Sequence, residues 1–124
     1  MANLIIIDDE VAIRTVLGQA MTAAGHTVRL AADGNEGLRL FLDEQADIVL
    51  TDLVMPEKEG LATIMELRRK FPQVRIIAMS GGFARNAGLY LQIAERLGAV
   101  RVLRKPFRLA ELATAIAEVL ATGK

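Results

Sequence analysis

The sequence has no cysteine, no tryptophan and a single histidine, and its aromatic residues are four Phe and one Tyr. Without cysteine there are no disulfides, thiolate metal sites or thiol nucleophiles, which suits a reducing compartment. No apolar run approaches the roughly 20 residues of a membrane span, so a soluble, cytoplasmic protein without membrane contact is expected. The opening "MANLIII" lacks a basic region and meets Asp8 too early for a signal peptide, and reads instead as the first structural element. Net charge is also missing: 15 basic side chains balance 15 acidic ones.

What is present is a globular composition, 52% hydrophobic and 24% charged. At 124 residues the chain is expected to form one domain over 1–124. Charge is unevenly spread, with 3 bases against 10 acids in residues 1–57 and 12 against 5 in residues 58–124. The bases are scattered, with neither a basic stripe nor a recognition motif, so no direct nucleic-acid binding is expected.

Short β-branched runs alternate with segments of helical period. Strands are predicted at 3–7, 27–31, 47–51, 74–79 and 99–103, and several are apolar on nearly every residue, as strands covered on both faces are. Helices are predicted at 11–24, 35–45, 59–71, 84–97 and 108–122, with apolar stripes such as Ile13, Leu17, Ala20, Met21 and Ala24 in the first. Leu38, Phe41 and Leu42 form the stripe of the second, and Leu109, Leu112, Ala113, Ile116 and Leu120 that of the last. Gly25 is placed to stop the first helix and Pro72 the third. Such alternation predicts a doubly wound parallel α/β sheet with helices on both faces.

In such sheets ligands bind beyond the carboxyl ends of the strands. Asp8 and Asp9 follow the first predicted strand, Asp52 the third, Ser80 the fourth, and Arg104 and Lys105 the fifth. Three gathered carboxylates repel one another unless a cation offsets them. Hard oxygen ligands favour Mg2+. A carboxylate beside such an ion is a plausible nucleophile toward phosphorus, and Lys105 and Ser80 supply a cation and a hydroxyl for phosphoryl oxygens. Taken singly, the acids could cap the first helix, and Asp52, Ser80 and Lys105 could be turn or surface residues.

In order, "IIIDDE", "DIVLTDLVMPEKEG", "IIAMSGG" and "VLRKPF" resemble the receiver domain of bacterial two-component response regulators over nearly the whole chain. The resemblance implies a flavodoxin-like (βα)5 sheet of order 2-1-3-4-5. It also implies that Asp52 accepts a phosphoryl group from a phosphohistidine on a sensor histidine kinase or phosphotransfer protein. Asp9, Asp52 and the Val54 backbone carbonyl would ligate Mg2+, with Asp8 acting through water. Lys105 would pair with the acceptor, Ser80 would turn toward the phosphoryl oxygens, and the Lys105–Pro106 bond would be cis. The face formed by the fourth helix, fifth strand and fifth helix would then regulate a downstream protein, with a homodimer possible. As no output domain follows Lys124, a stand-alone or excised receiver is expected.

Three positions depart from the common pattern. Val102 stands where the family's aromatic switch residue usually lies. The interval from Ser80 to Lys105 is longer than usual, the extra length falling in "GGFARNAGLYL". In that region Ala87, Leu89, Tyr90, Leu91, Ile93, Ala94 and Leu97 cover about 200° of a helical wheel, an apolar arc wide enough to meet a partner as well as the core. Val54 and Gly82 cannot orient a hydrolytic water, which predicts a long-lived phosphoryl state.

The alternative is a Mg2+-dependent phosphohydrolase with an aspartyl-phosphate intermediate, but haloacid dehalogenase-like enzymes need an Asp two residues after the nucleophile, where this chain has Val54. A nucleotide-binding fold would need a Gly-x-Gly-x-x-Gly run in place of "DDEVAI". His26 falls at the wrong end of the sheet for chemistry and is expected to have a structural or surface role.

Overall fold

The computed structural model describes residues 2–53, 59–81 and 87–122, the side chains at 59, 81, 87 and 90 excepted. Val54, Gly82 and most of "GGFARN", as well as the Tyr90 side chain, therefore lie outside the described residues. The elements run β1 (Asn3–Ile7), α1 (Val11–Ala23), β2 (Thr27–Ala31), α2 (Gly34–Asp43), β3 (Ile48–Asp52), α3 (Glu59–Lys70), β4 (Ile76–Gly81), α4 (Ala87–Leu97), β5 (Arg101–Lys105) and α5 (Leu109–Ala121). All strand pairs are parallel, in the order β2-β1-β3-β4-β5. This is the flavodoxin-like sheet that the alternation and the motifs predict.

Side chains alternate across a strand, so one sheet feeds two cores. Ile5, Ile7, Val49, Ile76 and Ala78 pack with Phe41, Ile64, Leu67, Leu91 and Ala94 on the face covered by α2, α3 and α4. Leu4, Ile6, Ile48, Leu50, Ile77 and Met79 pack with Leu17, Met21, Leu112, Ile116 and Val119 on the face covered by α1 and α5. The central strand β3 is buried at every residue, which explains its unbroken apolar run before Thr51 and Asp52.

Gly25, at φ +100°, follows α1 as expected. Its N–H donates to Thr22 O at 3.0 Å and that of His26 to Met21 O at 3.1 Å, the paired bonds of a left-handed helix stop. His26 Nδ1 accepts from Ala2 N–H at 3.1 Å, which makes it a structural tie at the edge far from the acids.

Several boundaries and stripes differ from expectation. β4 and β5 each begin two residues later than predicted, because the helix exits consume the residues before them. Val74 N–H bonds Phe71 O and Ala99 N–H bonds Ala94 O, each at 2.9 Å, before Val100 N–H reaches Ile76 O at 2.8 Å. As a result Ser80 and Lys105 sit on the last rungs of the ladder rather than past it. Asp52 likewise ends β3, paired in register with Met79. In α5 the buried stripe is Leu112, Ala115, Ile116 and Val119, while Leu109 and Ala113 are exposed. Leu42 of α2 and Ala24 after α1 also face outward.

α3 approaches β3 most closely at Gly60. A Cβ there would collide with the Asp52 carbonyl oxygen and with Leu53 Cα. These are backbone atoms, so the clash is relieved only by moving the helix. Gly60→Ala is expected to lower stability by about 1–3 kcal/mol in denaturant melts.

Candidate functional site

Strand alternation assembles the site. Ile6, Leu50 and Leu103 share the face packed on α1 and α5. Two residues further along each strand direction come Asp8, Asp52 and Lys105. Lys105 Nζ lies 3.0 Å from Asp8 Oδ2 and 3.2 Å from Asp52 Oδ2. Both carboxylates are buried, Asp8 completely and Asp52 to 3% exposure, while the lysine is half-buried. Burial alone pulls the Lys105 pKa down. The Asp52 charge and the hydrogen bond and charge of Asp8 together outweigh it, and the net direction is up from 10.5. The ammonium is therefore charged at neutral pH. The Lys105–Pro106 bond is cis.

Asp9 completes a group in which carboxylate oxygens of Asp8, Asp9 and Asp52 all lie within 4.8 Å of one another. Its exposure contrasts with the other two. Asp8 already uses both oxygens, Oδ1 accepting from Glu10 N–H at 2.9 Å and Oδ2 from Lys105. Capping does not account for this pair. The N-cap of α1 is Glu10, and its side chain makes no capping hydrogen bond. An all-oxygen trio with one exposed member fits a hard divalent cation.

Ser80 follows Ala78 in alternation and so belongs to the opposite face, beside α4. It is fully buried, and its Oγ has no hydrogen-bond partner among the described residues. Leaving a buried hydroxyl unpaired costs about 1–3 kcal/mol, so such a group marks a place where a ligand atom can be received. Val102, paired in register with Ala78, is a half-buried filler against the α2–α4 core. Leu89 is 53% exposed whereas Leu91 and Ala94 are buried, so the predicted apolar arc of α4 divides between core and surface.

Residues 4–117 match the family described as the response regulator receiver domain. The chain belongs to this family. It is 39% identical over 119 residues to the DNA-binding transcriptional regulator NtrC of Azospirillum brasilense, a match covering 96% of this chain and 24% of that protein. It is 38% identical to the sensor kinase CckA of Brucella abortus, covering 96% of this chain and 12% of that one. The chain thus spans about a quarter or less of these relatives. Among solved structures, the receiver domain of NtrX from Brucella abortus superposes with a TM-score of 0.88 at 27% identity, covering 96% and 98% of the two chains. A response regulator receiver domain from Clostridium thermocellum gives 0.90 at 28% identity, covering 99% and 97%. Receiver domains of this family are phosphorylation-controlled switches of two-component systems, and the phosphohydrolase alternative is not favoured.

One site residue escapes the sequence reading. Arg14 Nη1 donates to the Asp8 carbonyl at 2.7 Å. The available signal is that Arg14 is the first base of the chain and the only one before Arg29, six residues past the start of the acidic run.

A group whose pKa is higher in the folded than in the unfolded state adds stability below the unfolded value and loses it as pH rises through the folded one. In buffer without divalent cations, the stability advantage of the wild type over Lys105→Met should be flat from neutral pH to about 10.4 and shrink above that. Paired chemical melts across this range measure it.

Proposed function

We propose that this receiver domain accepts a phosphoryl group on Asp52 from a phosphohistidine of a sensor histidine kinase or phosphotransfer protein. In this reading Asp9, Asp52 and the backbone carbonyl of Val54 hold Mg2+, and Asp8 acts through water. The observation that carries the reading is the buried Ser80 hydroxyl on the strand next to Asp52, without a hydrogen-bond partner among the described residues. Bound Mg2+ would supply charge neutralisation and orientation of the phosphoryl oxygens.

The chain's own residues do the rest. An Asp52 carboxylate oxygen attacks phosphorus, the phosphorus–nitrogen bond of the donor breaks, and its electron pair remains on the imidazole. Lys105, already bonded to Asp8 and Asp52, keeps its ammonium beside the acceptor and can pair with the arriving oxygens. Ser80 then donates its hydroxyl hydrogen to a phosphoryl oxygen, drawing the end of β4 toward Asp52. Moving a two-state domain from 1:99 to 99:1 requires about 5.5 kcal/mol of differential interaction, within reach of several charge-assisted hydrogen bonds formed only in the phosphorylated state.

The output surface proposed is the α4–β5–α5 face, which would engage a downstream protein or a second copy. Nucleic-acid contact is not part of the reading, because the arginines of this face alternate with acids, as in the Arg101–Glu118 pair at 3.5 Å. Among the described residues no helix is long and apolar enough to cross a membrane, which is compatible with the cytoplasmic location proposed. Catalysis is confined to the domain's own phosphorylation and slow dephosphorylation.

Incubation with acetyl phosphate and MgCl2, followed by intact mass, should show one added phosphoryl group that Asp52→Ala abolishes. Steady hydrolysis of phosphate esters without an adduct would overturn the proposal. Val54→Asn, which introduces a side chain able to orient water, is expected to shorten the adduct's lifetime in the same assay; a longer lifetime would count against the role given to Val54.

A further inference from the structure

Arg14 lies in the first turns of α1, and its guanidinium reaches back across the β1–α1 connection to the Asp8 carbonyl. Every polar position of Asp8 is thereby fixed from a different direction. Its N–H donates to Ala31 O at 3.1 Å, Oδ1 accepts from Glu10 N–H, Oδ2 accepts from Lys105, and the carbonyl accepts from Arg14. That carbonyl lies in the planar peptide unit joining Asp8 to Asp9. Fixing the oxygen fixes the plane, and the plane sets the direction in which the Asp9 Cα, and so its carboxylate, projects. Asp9 needs such a constraint more than its neighbours, because it is the exposed member of the trio and its own side chain makes no hydrogen bond among the described residues.

We infer that Arg14 is a positioning residue for the divalent cation: it orients the Asp8–Asp9 peptide so that the Asp9 carboxylate stays directed at Asp52. The inference rests on the cation site proposed above. It also makes a prediction of sign. If Arg14 acted only as a nearby positive charge, removing it would tighten Mg2+ binding, since one cation would no longer repel another. If it acts by holding the peptide, removing it weakens binding, as loss of a group that orients a metal ligand commonly does by about 10-fold.

The test is titration of the full chain with MgCl2, followed by backbone amide shifts in nuclear magnetic resonance, for wild type, Arg14→Met and Arg14→Lys. Arg14→Met should raise the half-saturating Mg2+ concentration about 10-fold. Arg14→Lys, which retains a donor for the carbonyl, should recover part of the loss. Unchanged or tighter Mg2+ binding in Arg14→Met overturns the inference, as does a Lys variant no better than the Met variant. Should Arg14→Met fail to fold, Arg14→Leu, which also lacks a donor, provides the same comparison. Absence of Mg2+-dependent shifts in the wild type would instead refute the cation site itself, a failure distinguishable because it does not depend on position 14.

Discussion

The carboxyl edge of the sheet depends on one ammonium group placed between two buried carboxylates. Lys105 bonds Asp8 across 97 residues of chain and Asp52 across 53. β5 and β3 are separated by β4, about 10 Å at ordinary strand spacing, so the lysine must extend over the end of an intervening strand. Two carboxylates buried this deeply repel each other, and removing them from water is costly unless a cation lies beside them. The lysine offsets that cost, while the exposed Asp9 side chain makes no hydrogen bond among the described residues. The site is therefore charge-compensated in its interior and acidic at its mouth, which suits the divalent cation and phosphoryl group of the proposed function.

The fold was legible because its two periodicities are cleanly separated. Ile5 to Ile7 and Ile48 to Leu50 are apolar without interruption because both faces of β1 and β3 are covered, whereas α3 shows the spacing of Ile64, Leu67 and Phe71. What the pattern could not locate was where helix exits end and ladders begin. Val74 and Ala99 are apolar and β-compatible in context, yet both are held by bonds to the helices before them. The same limit applies to Leu109 and Leu42, whose periodicity is right but whose positions at a helix start and a helix end carry them beyond the cover of the sheet.

The site was legible to the extent that it follows from strand ends. Asp8, Asp52, Ser80 and Lys105 each lie at a strand's end or one residue from it, and a parallel sheet brings all such ends together. The difference between Asp8 and Asp9 was not legible from spacing. It arises from alternation: Asp8 continues the inward face of Leu4 and Ile6, and Asp9 is the first residue free of the ladder. Arg14 was missed because its contact is to a backbone carbonyl, which no side-chain motif records.

The missing aromatic ring at Val102 shifts attention to α4. A half-buried valine has too little surface for its exposure to change much between two states, so β5 lacks a two-position reporter there. α4, in contrast, is anchored at its carboxyl end. At its carboxyl end Gly98, at φ +115°, turns the chain, and Arg68 Nη2 donates to Gly98 O while Nη1 of the same guanidinium donates to Pro72 O. Toward the other end a Cβ added at Gly88 would meet nothing within 4 Å among the described residues, and Leu89 faces outward. Glycine in a helix also costs about 1 kcal/mol relative to alanine. On the proposed function, a pull on Ser80 would act on the amino-terminal side of α4, while Arg68 holds the chain at the other end. On that reading the amino-terminal half of the helix would change relative to an anchored carboxyl end, without need of a rotating ring.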